Sequence, residues 1–188
     1  MALLKRASIR LACAALILLS CTSPAVAQPP DAGENAVKAA FLYNFTKFVD
    51  WPGNAFEGTA SPFRVCVFAD AAFRRDLETM LAGESVGARR VAVSAAPRDV
   101  RGCHVAYFGA EAEERARQVL PTLREVPVLT VGEGSRFLDQ GGLIAFALEQ
   151  NRVRFDVNKA ALDRTGLVVS SKLLRVARHV QTAGTLQP

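Results

Sequence analysis

FRVCVFADAAFRRDLETML, residues 63–81, decides the fold class. Residues 63–69 are a short apolar run rich in Val and Phe, the pattern of a strand buried on both faces. Asp70 then stands where a helix cap is needed, and residues 71–81 carry helical spacing. A buried strand running straight into a helix is the repeating unit of an α/β protein.

The same alternation continues along the chain. Residues 89–95 (RRVAVSA), 103–109 (CHVAYFG) and 126–132 (VPVLTVG) read as strands. Residues 111–120 read as a helix with acids first and Arg115 and Arg117 later, the order its dipole favours. A short helix is expected over 135–140, stopped by Gly141 and Gly142. Residues 143–149 and 152–158 form a hairpin pattern around Gln150 and Asn151. In its second arm Val153, Phe155 and Val157 alternate with Arg154 and Asp156, so one face is expected to meet water. Residues 159–165 and 171–180 close the chain as helices. The expected fold is a single-domain α/β sandwich whose mixed, largely parallel sheet is flanked by helices and carries a late β-hairpin.

Upstream, KAAFLYNFTKFVDWP (38–52) concentrates Phe41, Tyr43, Phe45, Phe48 and Trp51, out of 11 Phe, 2 Tyr and 1 Trp in all. A helix from Asn35 would put Val37, Phe41, Phe45, Phe48 and Val49 on one core-facing arc, with Tyr43, Thr46, Lys47 and Asp50 opposite. Pro52 would end it by excluding Trp51 from the helical region. Core packing accounts for the phenylalanines. It leaves Tyr43, Lys47 and Trp51 as candidates for meeting a partner.

The amino terminus has the anatomy of an export signal. Lys5, Arg6 and Arg10 precede an uncharged apolar run, and Ala25-Val26-Ala27 supplies small residues for cleavage. Leu18-Leu19-Ser20-Cys21 is a competing, poorer fit to a lipidation site at Cys21. The expected division is a signal peptide at 1–27, a flexible lead-in at 28–35, the domain at 36–180 and a loose tail at 181–188. Loss of the signal removes three basic residues and lowers the formal net charge from +5 to +2. Neither that charge nor any basic run argues for nucleic acid.

Cys13 and Cys21 depart with the signal, leaving Cys66 and Cys103. In an oxidising compartment a lone pair is most simply a disulfide. Closing that loop stabilises by ~4 kcal/mol on the chain-entropy model. A reactive thiol pair is the alternative, without the C-x-x-C spacing of redox motifs.

Catalytic chemistry finds little support. His104 beside Cys103 lacks metal-ligand spacing, and strand neighbours point to opposite faces. GEGSRF (132–137) lacks the third glycine of a dinucleotide fingerprint and the Lys-Ser of a phosphate loop. No catalytic, metal or cofactor residues are assigned. In the last helix, Leu173, Leu174, Val176, Ala177 and Val180 would be buried. Lys172 and the candidate ligand residues Arg175, Arg178 and His179 would form a basic outer patch for an anion.

The chain resembles the YfiR-like periplasmic protein family. The resemblance runs through KAAFLYNFTKFVDWP, FRVCVFAD (63–70), CHVAYFGA (103–110) and the long segment 128–178 that ends in SSKLLRVAR. It implies a non-enzymatic, dimeric periplasmic repressor. Such a protein binds the periplasmic sensor domain of a membrane-bound diguanylate cyclase and lowers cyclic-di-GMP signalling, hence biofilm formation. It implies release by an OmpA-type outer-membrane lipoprotein, and a disulfide at Cys66 and Cys103. Some family members have a second cysteine pair near the hairpin; residues 143–152 here contain no cysteine. The alternative implied is a small-molecule-binding accessory protein of another receptor, such as a histidine kinase.

Overall fold

A computed structural model describes residues 32–182. The expected signal peptide, the first half of the lead-in and the end of the tail lie outside the described residues.

Helix α1 (Ala32–Phe45) leads into a two-residue strand β1 (Val49–Asp50). The strand-helix pair that opened the sequence reading is β2 (Phe63–Phe68) and α2 (Ala71–Leu81). Asp70 caps α2 as expected, accepting from the Ala72 and Phe73 amides at 2.7 and 2.8 Å. Next come β3 (Ser85–Val86), β4 (Arg89–Ala95), β5 (Val105–Phe108), α3 (Glu113–Val119), β6 (Leu129–Glu133) and α4 (Gly134–Asp139). The chain ends with β7 (Ile144–Glu149), β8 (Arg152–Asn158), α5 (Lys159–Leu162), β9 (Val168–Val169), α6 (Ser171–Val176) and β10 (Val180–Gln181).

The main sheet has eight strands in the order β10-β8-β7-β6-β5-β2-β4-β3. Strands β4, β2, β5, β6 and β7 are parallel neighbours; β8 and β3 run antiparallel to β7 and β4. The hairpin β7–β8 turns through Gln150 and Asn151, both at positive φ (49° and 59°), so the two-residue loop twists with its strands.

Helices cover both faces. On one, α1 and α2 pack Ala39, Leu42, Phe45, Phe73 and Leu77 onto Val65, Val105, Phe146 and Phe155. On the other, α3 and α4 pack Ala116, Val119, Phe137 and Leu138 onto Cys66, Ala106 and Phe108. The Phe137 ring lies between two backbones: a Cβ on Gly132 or Gly142 would come within 2.3 or 2.2 Å of it. Glycine is required there by close approach.

Four expectations are corrected. First, α1 ends at Phe45 rather than near Trp51, because Thr46 to Phe48 turn the chain into β1, which pairs antiparallel with β9. Second, its buried arc is therefore Asn35, Ala39, Leu42 and Phe45; Val37 and Phe48 are 43% and 37% exposed, and Thr46 is buried. Third, Asp156 does not meet water. It is 5% exposed, because β10 and the residues before it cover that edge of β8 and bring a cation to it. Fourth, the last helix stops at Val176. Ala177 is already extended, and the Arg178 amide donates to the Phe155 carbonyl at 2.8 Å before β10 pairs with β8. Sheet pairing satisfies the backbone there in place of helical bonds.

Candidate functional site

Cys66 and Cys103 are joined in a disulfide with Cα atoms 5.9 Å apart. Both thiols are thus occupied, leaving neither as a nucleophile or metal ligand. His104 is 3% exposed and stacks between Phe56 and Phe63 at 4.6 and 4.8 Å. Its Nδ1 accepts the Arg64 amide at 2.9 Å, which fixes the neutral tautomer with the proton on Nε2. Burial lowers its pKa, only partly offset by the Ala55 backbone. Among the described residues no group of three His, Cys, Asp or Glu side chains could hold a metal ion.

The three candidate partner residues are placed in two groups. The Lys47 ammonium sits 4.1 Å from the Tyr43 ring centroid, a cation–π contact. The Tyr43 hydroxyl donates to Glu84, and that bond holds its pKa above the usual tyrosine value. Trp51 turns elsewhere. Its Nε1 donates to the His104 carbonyl at 3.2 Å, and its ring meets Phe63 edge-on at 4.9 Å.

Strand β1 lies between these groups in sequence, and the ribbon it forms with β9 presents a surface that helical periodicity did not reveal. Val49 pairs with Val169 and Asp50 with Val168, and the Ser170 amide donates to the Phe48 carbonyl at 2.9 Å. Strand alternation turns Val49 inward, 4% exposed, and Phe48, Asp50 and Val168 outward. Val168 is 64% exposed. Helix α6 starts at the ribbon, capped by Ser170, whose hydroxyl accepts the Lys172 amide at 3.2 Å. It adds exposed Val176, and Lys172 and Arg175, which form no ion pair among the described residues.

The candidate ligand residues do not share a helical face. Arg175 is exposed on α6, and His179 is exposed just before β10. Arg178 is committed to buried Asp156 through two bonds of 2.9 and 2.6 Å, with Glu149 at 3.9 Å. The bond to Asp156 raises its pKa, so it stays a fixed cation.

Sequence reading missed one half-buried cluster around the buried Tyr107. At the carboxyl ends of β5 and β6, the Tyr107 hydroxyl donates to Glu133 at 2.5 Å, and Lys38 lies 3.0 Å from Glu133 and 2.7 Å from Glu34. Burial, then the Glu133 carboxylate, pushes the Tyr107 hydroxyl far up. Burial also raises Glu133, against the pull of Tyr107 and Lys38. Burial alone would lower Lys38, but the two carboxylates outweigh it and the net shift is upward. One signal was legible: Lys38 sits on the same helical arc as Asn35, Leu42 and Phe45, and a lysine on a buried face requires an acid opposite.

Among solved structures, a conserved domain protein from Vibrio cholerae O1 biovar El Tor superposes with a TM-score of 0.52 at 10% identity, over 78% of this chain and 60% of that one. The ABC domain in complex with L-Trp from Streptococcus pneumonia gives 0.49 at 9% identity, over 79% and 60%. The chain thus spans 60% of the length of each, and the first likeness is one of fold alone. A family model described as YfiR/HmsC-like matches residues 35–178, and the chain belongs to that family, whose members are periplasmic regulators in cyclic-di-GMP signalling rather than catalysts.

Proposed function

We propose that this protein is exported by cleavage after Ala27 and acts in the periplasm. There it binds the sensor domain of an inner-membrane diguanylate cyclase and lowers its output. Family membership supports the pathway. The observation that carries the binding role is the outward face of the β1–β9 ribbon. Phe48 and Val168 are exposed on the ribbon and Val176 on the helix that follows it, and Lys47, Lys172 and Arg175 are exposed on the same segments. Apolar anchors accompanied by three exposed cations against the single ribbon acid Asp50 fit a protein surface with an acidic rim. Tyr43 contributes by holding Lys47 in place; Trp51 contributes by fixing the segment that carries Phe48. An OmpA-type lipoprotein competing for the protein, and a homodimer, belong to the same proposal.

Inhibition follows by population shift. A ligand that binds the inactive cyclase tenfold more tightly than the active one biases the equilibrium by ~1.4 kcal/mol. Bound at full occupancy, that is enough to lower activity severalfold without touching the catalytic domain.

The test is capture of membrane proteins by the tagged protein, with Phe48→Glu and Val168→Glu as variants. A cyclase-bearing receptor recovered by the wild type and lost with both variants, at unchanged melting temperature, is the expected result. Recovery of a histidine kinase would redirect the pathway. Undiminished capture by both variants would remove the ribbon from the interface.

A further inference from the structure

Residues 53–62 lie between β1 and β2, and none of them is buried. Yet this strap supplies the cover of a buried ring. Phe56 stacks on His104 with centroids 4.6 Å apart, and Phe63 stacks on the same imidazole at 4.8 Å. Phe63 belongs to β2 and is 0% exposed, whereas Phe56 is half-buried. Of the two walls, the strap is the one that can move.

Polar ties near the surface hold it down. Arg89 donates to the Gly58 and Ser61 carbonyls at 2.7 and 2.8 Å, and its guanidinium carbon lies 3.9 Å from the Phe56 centroid. Arg64 donates to both oxygens of the Glu57 carboxylate at 2.9 and 2.8 Å. A segment with little buried apolar area and surface hydrogen bonds opens at lower cost than the fold as a whole.

Beneath the strap, His104 has no place for a second proton. Its Nδ1 already accepts the Arg64 amide, and its Nε2 is buried without a hydrogen-bond partner among the described residues. The Ala55 backbone and the Glu57 carboxylate favour the imidazolium; burial, Arg64 and Arg89 oppose it and prevail. Glu57 stays ionised in mild acid, because its bonds to Arg64 hold its carboxyl below the usual 4.5. A proton on Nδ1 would set that N–H against the Arg64 N–H and leave a buried cation without an acceptor.

We propose that residues 53–62 are an acid-released strap: one proton taken up by His104 breaks its bond to the Arg64 amide and lifts Phe56 off the ring, while the sheet stays folded. The closed strap excludes the proton, and the open one admits it near the ordinary 6.5. The strap is therefore shut above that pH, and its open fraction grows about tenfold for each unit below it. This device does not depend on the receptor contact of the ribbon, so the two stand or fall separately.

The experiment is amide hydrogen exchange, followed residue by residue by NMR on the disulfide-bonded mature protein between about pH 6.5 and 4.5, with the His104 ring resonances recorded in the same samples. After correction for intrinsic rates, protection of the Phe56 and Arg64 amides should fall about tenfold per pH unit. The Gly109 and Asn158 amides, bonded to the Phe68 and Leu143 carbonyls at 2.8 Å each, should lose far less. His104→Asn should make protection of the strap independent of pH. Phe56→Ala, a change on the half-buried strap, should raise the protonation midpoint of His104 toward 6.5. Strap protection that ignores pH in the wild type would overturn the proposal. So would equal losses at Gly109 and Asn158, a protonated His104 whose Arg64 amide remains protected, or an unchanged midpoint in Phe56→Ala. A pH dependence that survives in folded His104→Asn would do the same, and the wild-type outcomes decide the matter even where that variant fails to fold.

Discussion

On the α1 face of the sheet, Phe45 stacks with Phe41 and Phe146 at 5.9 Å each and meets Phe155 edge-on at 5.0 Å, with no covalent link. On the α3 face the core is smaller, and the Cys66–Cys103 bridge runs through it. The two faces are held by different physics. Large rings bury enough apolar area to hold a helix on their own. A shallow core on short helices gains from a crosslink that restricts the unfolded chain. This contrast also fixes where redox conditions act: on the face away from α1.

Phe45→Ala should produce the largest loss, ~5 kcal/mol, at the upper end for a ring 1% exposed and touched by three others. Urea unfolding measures it. A loss under about 2 kcal/mol would mean that the α1 face refills the space and the contrast between faces is overstated. Removing the bridge with Cys66→Ala and Cys103→Ala should cost ~4 kcal/mol for a separation of 37 residues. Hydrogen exchange should rise first in α3 and β5. A rise led by α1 would reverse the assignment of the bridge to the α3 face.

Lys38→Met should cost ~2 kcal/mol, below the ~3–5 kcal/mol of a fully enclosed pair. Its pH dependence is the sharper readout. The Glu133 pKa lies above its ordinary 4.5 in the folded state, so folding favours the neutral acid. Stability is therefore lost as pH rises through the folded value, and removing the cation enlarges that loss. The deficit should be greater at pH 8 than at pH 4.5; equal deficits would show that Lys38 is not what keeps Glu133 ionised.

His104 tests the opposite limb. Its folded pKa lies below 6.5, so the unfolded chain takes up the proton first and stability falls as pH drops below about 6.5. His104→Asn keeps an acceptor for the Arg64 amide and should flatten that acid limb. The smallest effect expected is ~1 kcal/mol for Asp70→Ala, from loss of the α2 cap.

Much of this architecture was legible because it is local. The β2–α2 unit, its cap at Asp70 and the turn at Gln150-Asn151 are set by neighbours in sequence. The disulfide was legible because only two cysteines remain after the expected signal. What could not be read depends on distant partners. The end of α1 is decided by β9, and the end of α6 by β8. Burial of Asp156 needs Arg178, and the Lys38 cluster joins three elements. Lys47, expected outside the core arc, is exposed; Tyr43, expected there too, is half-buried and packs against the core, whereas Phe48, assigned to the core, is 37% exposed.

The first helix has a further consequence for how the chain is made. Its ring partners Phe146 and Phe155, and the strand β9 that closes the ribbon after it, all lie in the last third of the sequence. Synthesis begins at the other end. Until β7 and β8 emerge, Phe45 lacks two of its three ring partners, and the stretch with the most aromatic rings waits longest for full shelter. A chain halted before Arg152 should thus be cut within residues 38–48 by a protease that leaves the finished protein intact, and holdase chaperones should prefer that segment while translation is under way.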